Sequence, residues 1–150
     1  MSKCKEIAEK FCNGTSCSQA ILSSYAEQYG LAPELAFKIA AGFSGGMGRT
    51  GNTCGALTGA IMVAGLEKGA THKEDQSAKQ NTYDTVGELI AAFEQRWGTT
   101  ECRELLGCNI GTAEGYEAAR DQALFIVRCP EIVESAVEIL ERVIDQAEEE

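Results

Sequence analysis

Seven cysteines are the residues of this 150-residue chain best suited to chemistry. Four of them directly precede or open a stretch with helical patterning, and we call these four the cysteine quartet: Cys17, Cys54, Cys102 and Cys129. A thiolate at a helix N-terminus meets unpaired backbone N–H groups and the positive end of the helix dipole. Four thiolates brought together need a cation, which an iron–sulfur cluster or a zinc ion supplies. We therefore expect the quartet to form one site, as metal ligands or as redox-active catalytic thiols.

Cys54 stands at the centre of the most distinctive stretch, which runs from Gly42 to Gly65 and reads GFSGGMGRTGNTCGALTGAIMVAG. With Asn52 or Thr53 as N-cap, Cys54 falls in the first turn of a helix that ends near Gly69. This placement predicts a thiol pKa below the unperturbed value of about 8.5. One side of that helix carries only small residues, so another backbone can approach it closely: Gly55, Ala56, Gly59, Ala60 and Ala64.

Three functions are compatible with thiols at helix starts. The quartet can hold an iron–sulfur cluster that transfers electrons. Alternatively, Cys54 is the activated thiolate of a thiol–disulfide oxidoreductase and another member resolves it, or the quartet binds a structural zinc ion. No C-x-x-C and no ferredoxin spacing is present to separate these readings. The remaining cysteines share no placement: Cys4, Cys12 and Cys108.

The elements that position these thiols are predicted to be helices, because no alternating stretch is long enough for a strand. We expect one all-α domain over residues 1–150, a bundle of about six to eight helices around the central small-residue helix. The predicted helices are Lys3–Phe11, a second from a cap at Thr15 or Ser16 to Gly30, a third from Pro33 to about Phe43, the central helix, Lys73–Trp97, a short turn from Glu101 to Leu106, Ala113–Val127, and a last helix from Pro130 that frays in the acidic run Asp145–Glu150.

Charge and composition exclude several partners. The net charge of −10 repels a phosphate backbone and an anionic membrane, so we expect neither nucleic acid nor membrane as a partner. The longest apolar run, Leu57 to Leu66, is far shorter than the ~20 residues of a spanning helix. The N-terminus lacks an apolar export segment, which predicts a reducing cytoplasm. The expected partner is a redox protein or a small-molecule oxidant or reductant, and a homodimer is left open.

Other motifs carry less weight. The stretch from Gly46 to Gly51 matches G-x-G-x-x-G, but a dinucleotide site needs a preceding strand and this one follows a helix. We interpret these glycines as a tight loop with positive φ. His72 is the single histidine and is expected at the surface, so a hydrolytic triad has little basis. Arg49 is interpreted either as the partner of a thiolate or anion or as a solvated side chain.

The quartet also carries a family resemblance. Each member lies in a distinctive segment: Cys17 in CSQAIL, Cys54 in the motif Cys54-Gly55-Ala56-Leu57-Thr58-Gly59, Cys102 in CRELLG and Cys129 in CPEIVE. These segments resemble the pattern of the redox-active protein family named for C, CGAxxG, C, C. The preceding GFSGGMGR and FEQRWG are similar as well, so the resemblance extends from about residue 11 onward. It implies a redox role, and an iron–sulfur site through the family's similarity to the iron–sulfur-binding part of split-Soret cytochromes. No heme-attachment motif accompanies it here.

Overall fold

The computed structural model describes the backbone of residues 1–149 and the side chains of residues 1–146. Within this part the chain is all-α, as predicted, and eight of its helices have five residues or more. The acidic run Asp145–Glu150 was expected to fray, but its backbone is helical as far as Glu149, and Glu150 lies outside the described residues. The helical segments are α1 (Lys3–Cys12), α2 (Cys17–Tyr25), α3 (Pro33–Ala40), α4 (Ser44–Met47), α5 (Gly55–Lys68), α6 (Gln76–Trp97), α7 (Cys102–Leu106), α8 (Ala113–Asp121), α9 (Leu124–Val127) and α10 (Cys129–Glu149).

Most of these elements match the sequence patterns. Short 3-10 turns extend α2 and α3 at Glu27–Tyr29 and Ala41–Phe43. The long helix α6 begins three residues later than predicted, because the Asp75 carboxylate caps it by accepting a hydrogen bond from the N–H of Ala78 at 3.0 Å.

The spacing of apolar residues along α6 predicts one stripe: Tyr83, Val86, Ile90, Phe93 and Trp97. This prediction is correct at Phe93, which is buried, and wrong at Tyr83, which is 61% exposed. Leu89, outside the predicted stripe, is fully buried.

The central helix α5 is surrounded, as its composition predicted. It packs most extensively on α2, α6 and α10. A Cβ at Gly59 would lie 3.1 Å from the Cβ of Ile21 and 3.2 Å from the Cα of Ser18, so α2 lies against the bare face of α5. We call the apolar interior formed by α1, α2, α5, α6 and α10 the main core.

One predicted helix is broken. The chain from Ala113 to Val127 forms two helices, α8 and α9, because Ala123 adopts a left-handed conformation with φ 55° and ψ 30°. The sequence predicts one apolar face along this helix, formed by Tyr116, Ala119, Ala123 and Ile126. It is wrong beyond the break, because Ile126 is 72% exposed. Helix periodicity misses this break because alanine is an excellent helix former. The turn redirects the chain so that Phe125 lies against Tyr116, with ring centroids 5.5 Å apart.

Candidate functional site

All four members of the cysteine quartet line one small cavity. Its volume is about 100 Å³, and its other walls are mainly apolar side chains: Phe11, Leu106, Ile110, Phe125, Ile132 and Val133. A single water molecule needs a cavity of roughly 10–15 Å³ on this measure. The thiols therefore surround an open, largely apolar space and do not simply pack against one another.

Each member of the quartet lies at a helix N-terminus. Cys17, Cys102 and Cys129 are the first residues of α2, α7 and α10. Cys54 was predicted in the first turn but is the N-cap of α5, with φ −55° and ψ 132°. Its backbone is still extended because its N–H donates to the carbonyl of Thr100 at 2.8 Å, so the helix begins one residue later.

Backbone pairing places two members of the quartet beside each other. Thr53 and Glu101 form an isolated antiparallel bridge. On either side of it, the N–H of Cys54 donates to Thr100 and the N–H of Cys102 donates to the carbonyl of Asn52 at 2.6 Å. This short pairing joins the entrance of α5 to the entrance of α7, and it was not visible as a strand pattern because it is only one bridge long.

The glycine-rich loop before Cys54 makes a left-handed turn. Five consecutive residues, 45–49, have φ between 62° and 70°. Glycine adopts this conformation without steric cost, whereas each L-residue costs about 1–2 kcal/mol, which explains the Gly-Gly-x-Gly pattern. A Cβ at Gly46 would lie 2.8 Å from the Cβ of Cys102, so the turn lies directly against the site. The interpretation of these glycines as a positive-φ loop is confirmed.

The sulfur of Cys17 is enclosed by backbone. The N–H groups of Gly45, Ser18 and Gly55 are directed at it and act to lower its pKa, but burial is the larger effect and raises that pKa. A Cβ at Gly55 would collide with Sγ of Cys17. The second residue of the Cys54-Gly55-Ala56 motif is therefore glycine because another cysteine of the site occupies the space.

The prediction of an acidic Cys54 thiol is wrong for the metal-free protein. Its side chain is 8% exposed, and burial followed by the nearby Cys17 raises its pKa well above the ordinary value. The N–H groups of Ala56 and Leu57 lower the pKa but do not offset the lost hydration. Burial likewise raises the pKa of Cys102 to about 11 and that of Cys129 to about 12. Exposed Cys12, and not Cys54, is the thiol expected to alkylate first.

Cys129 is held in place through its neighbour. The guanidinium of Arg128 donates from Nε to the carbonyl of Leu105 at 3.0 Å, which ties the start of α10 to the end of α7. The same guanidinium lies 5.3 Å from the ring centroid of Trp97. Sequence periodicity did not indicate this role for Arg128 or identify Phe125 as a cavity wall, because both follow the turn at Ala123. It also missed Ile110, which lies in the loop between α7 and α8.

The sulfurs are spread around the cavity. Among the residues that the structure describes, no three members of the quartet have sulfurs within 4.8 Å of one another. The other cysteines do not line the cavity: Cys4 is buried in α1, Cys12 is exposed and Cys108 is half-buried.

The two other polar residues singled out from the sequence lie outside the cysteine cavity. Arg49 is exposed and lies over the ring of Tyr116, 4.2 Å from its centroid, and it does not line the cysteine cavity. His72 lies at the surface, 3.5 Å from Glu74.

In the described part of the chain, no helix has both the length and the apolar character needed to cross a membrane. A search of curated proteins found no match, and neither did a search of solved structures. The model of the family described as "Putative redox-active protein (C_GCAxxG_C_C)" matches residues 15–143. This match covers the whole cysteine quartet, with the motif written here as C-G-A-x-x-G. By this match, the chain is a member of that redox-active protein family.

Proposed function

We propose that the quartet binds an iron–sulfur cluster and that the protein transfers single electrons. The observation that carries this proposal is the convergence of four thiols, from four separate helix starts, on one apolar cavity. Thiolates are the usual ligands of such clusters, and a cluster supplies one-electron redox chemistry when bound. Metal binding displaces the thiol protons, so the raised pKa values of the metal-free thiols make cluster binding depend on pH, and it should strengthen as the pH rises.

The spread of the sulfurs favours a cluster over the zinc alternative. A Zn–S bond of about 2.3 Å in a tetrahedron places the four sulfurs about 3.8 Å apart. No three quartet sulfurs in the described chain come within 4.8 Å of one another. A cluster separates its cysteine ligands more widely than one zinc ion does, because the four thiolates are divided between two or four iron atoms. The separation of the quartet sulfurs is therefore wider than one zinc ion requires, and this favours a cluster.

Burial makes thiol–disulfide exchange a weaker alternative. That chemistry needs an accessible thiolate near neutral pH. Cys54 and Cys102 are each only 8% exposed, and burial raises the pKa of both thiols. The same enclosure suits a cluster, since apolar walls exclude water and N–H groups directed at the Cys17 sulfur stabilise its negative charge.

The left-handed turn at residues 45–49 is the side of the molecule where we expect electrons to pass between the cluster and a redox partner. Gly45, Ile110 and Phe125 line both the cysteine cavity and an adjoining surface pocket of about 340 Å³. Gly45 has no side chain, and the side chains of Arg49 and Ile110 pack over it. Arg49 and Tyr116 line the outer pocket. We place the approach of the redox partner, a protein or a small molecule, on this side of the molecule.

Serine substitution of single cysteines tests the proposal. After anaerobic reconstitution with iron and sulfide, Cys17→Ser, Cys54→Ser, Cys102→Ser and Cys129→Ser should each lose most of the visible charge-transfer absorption. Cys12→Ser and Cys108→Ser are matched controls that should keep it, because neither residue lines the cavity. Far-ultraviolet circular dichroism checks folding. Full absorption in the quartet variants, or equal loss in the controls, contradicts the ligand assignment.

A further inference from the structure

A second group of metal-ligating side chains lies between the first and last helices, away from the cysteine cavity. The sulfur of Cys4 and one carboxylate oxygen each from Glu134 and Glu138 all lie within 4.8 Å of one another. In the described residues no other three histidine, cysteine, aspartate or glutamate side chains approach as closely. Cys4 is also one of the three cysteines that the quartet leaves without a role.

Local structure explains why these three groups meet. Cys4 is the second residue of α1 and is 9% exposed, on the same buried face as Ile7 and Ala8. Glu134 and Glu138 are four residues apart on α10, so both project from one side of that helix. The packing of α1 along α10 then brings the thiol close to both carboxylates.

The charges at this place are unbalanced. The Oε2 atom of Glu138 accepts a hydrogen bond from Nη1 of Arg96 at 3.1 Å. Glu134 is half-buried and has neither a hydrogen bond nor an ion pair to any described residue. Within hydrogen-bond distance of a described residue, the thiol contacts the Ser2 hydroxyl, 3.1 Å away. Two carboxylates with one guanidinium leave a net negative charge beside a buried thiol, and a cation compensates such a charge.

We propose that Cys4, Glu134 and Glu138 form a site for one divalent transition-metal ion of the zinc type. A thiolate combined with carboxylates suits a borderline metal, whereas magnesium and calcium prefer oxygen ligands alone. On binding, the S–H bond of Cys4 breaks, an S–metal bond forms and the proton passes to the solvent. Water completes the coordination, as at zinc sites with three protein ligands.

Such a site would be distinct from the electron-transfer site. Helix α1 precedes the region matched by the family, which begins at residue 15. A bound metal would join this N-terminal helix to α10 and so stabilise the folded chain by mass action.

Titration with Zn²⁺ and Co²⁺ tests the site in the 150-residue chain carrying Cys54→Ser, a substitution that weakens competing binding by the quartet. Binding is followed by native mass spectrometry, by the Co²⁺–thiolate absorption and by thermal stability. We expect one metal ion per chain, lost on Cys4→Ser and weakened at least about tenfold by Glu134→Gln or Glu138→Gln, since even outer partners of a metal site cost 10–100-fold.

Matched controls lie on the same two helices. Cys12→Ser and Glu131→Gln change exposed residues of α1 and α10 and should leave the affinity unchanged. Arg96→Gln should tighten binding, because it frees Glu138 from its ion pair. Metal binding that persists in Cys4→Ser, or that falls equally in Glu131→Gln and Glu134→Gln, overturns this site. Either result leaves the proposed iron–sulfur cluster unaffected. The cluster is tested separately, by iron and sulfide binding to the chain with an intact quartet.

Discussion

The main core and the cysteine cavity meet at α5 but are built from different contacts. The core is filled by large side chains on regular helices, such as Phe93, Leu89 and Leu140, all at most 1% exposed. The cavity depends on residues without side chains, such as Gly46 and Gly55, and on a left-handed turn. Stability and site geometry therefore reside in different residues, and substitutions should separate them.

The cavity also lies between two apolar clusters. Cys54 belongs to the main core and Cys17 packs against it. Cys102 belongs to a smaller cluster with Leu106, Ile110 and Ala119, against which Cys129 packs. Each cluster thus contributes two members of the quartet. A bound iron–sulfur cluster would tie the smaller apolar cluster to the main core.

The largest expected effect on stability comes from the main core. Phe93→Ala should lower the free energy of unfolding by about 3–5 kcal/mol, because a fully buried ring leaves a cavity. Tyr83→Ala, on the same helix but 61% exposed, is the control and should change it by no more than about 0.5 kcal/mol. Urea unfolding followed by circular dichroism measures both. Similar losses in the two variants would show that the buried face of α6 is assigned wrongly.

Gly55→Ala should damage the site more than the fold. The added Cβ collides with the sulfur of Cys17, so we expect iron binding to be lost and stability to fall by about 1–3 kcal/mol, as for overpacking in general.

Gly65→Ala is the matched control for Gly55→Ala on the same helix. A Cβ there meets nothing within 4 Å, and alanine should raise stability by about 0.5–1 kcal/mol. The iron content after reconstitution and the urea midpoint are measured for both variants and for the unmodified chain. Normal iron binding by Gly55→Ala would refute the close contact with Cys17.

The free energy of unfolding of the metal-free protein should depend on pH because of its buried thiols, of which Cys102 is one. Cys102 ionises near 9.0 when unfolded and near 11 when folded. Between these values the folded chain keeps a proton that the unfolded chain has lost. The stabilisation is therefore present below pH 9 and falls as the pH rises toward 11.

Urea midpoints of the reduced, metal-free protein from pH 8 to 11 measure this fall. Cys102→Ser should reduce the slope, because serine does not titrate in this range. An unchanged slope would show that Cys102 is not the titrating group.

A smaller effect is expected at the left-handed turn. Met47 has φ 70° and is 42% exposed, so its side chain gains little from packing. Met47→Gly relieves the strain but adds freedom to the unfolded chain, and we expect a net stabilisation of at most about 1 kcal/mol. Thermal unfolding measures it. A clear loss of stability would indicate that the Met47 side chain contributes a contact that outweighs the backbone strain.

The sequence allowed the core to be predicted better than the site. The apolar spacing along α6 and α10 and the small residues of α5 indicated the helices, because burial imposes a period of 3.6 residues. The positions of Cys17, Cys54, Cys102 and Cys129 were also predictable, since caps and prolines mark helix starts. The break at Ala123 was not, because nothing in an alanine indicates a positive φ.

The environment of Cys54 was the other failure of sequence reasoning. Its helix-start position was correct, but the sign of its pKa shift was not. The sign depends on how deeply the thiol is buried, and that is decided by α2 and by the paired segment at Thr100, both distant in sequence. Helix-start position alone is therefore a poor guide to thiol reactivity where four thiols share an apolar cavity.

Iron and acid-labile sulfide content after anaerobic reconstitution tests most directly whether the quartet binds a cluster. We expect both to bind in comparable amounts, Cys54→Ser to abolish this binding and Cys108→Ser to leave it unchanged. Electron paramagnetic resonance of the dithionite-reduced protein should then detect a one-electron change. A correctly folded chain that takes up neither iron nor sulfide, or whose quartet holds zinc alone, would show that the quartet is not a cluster site.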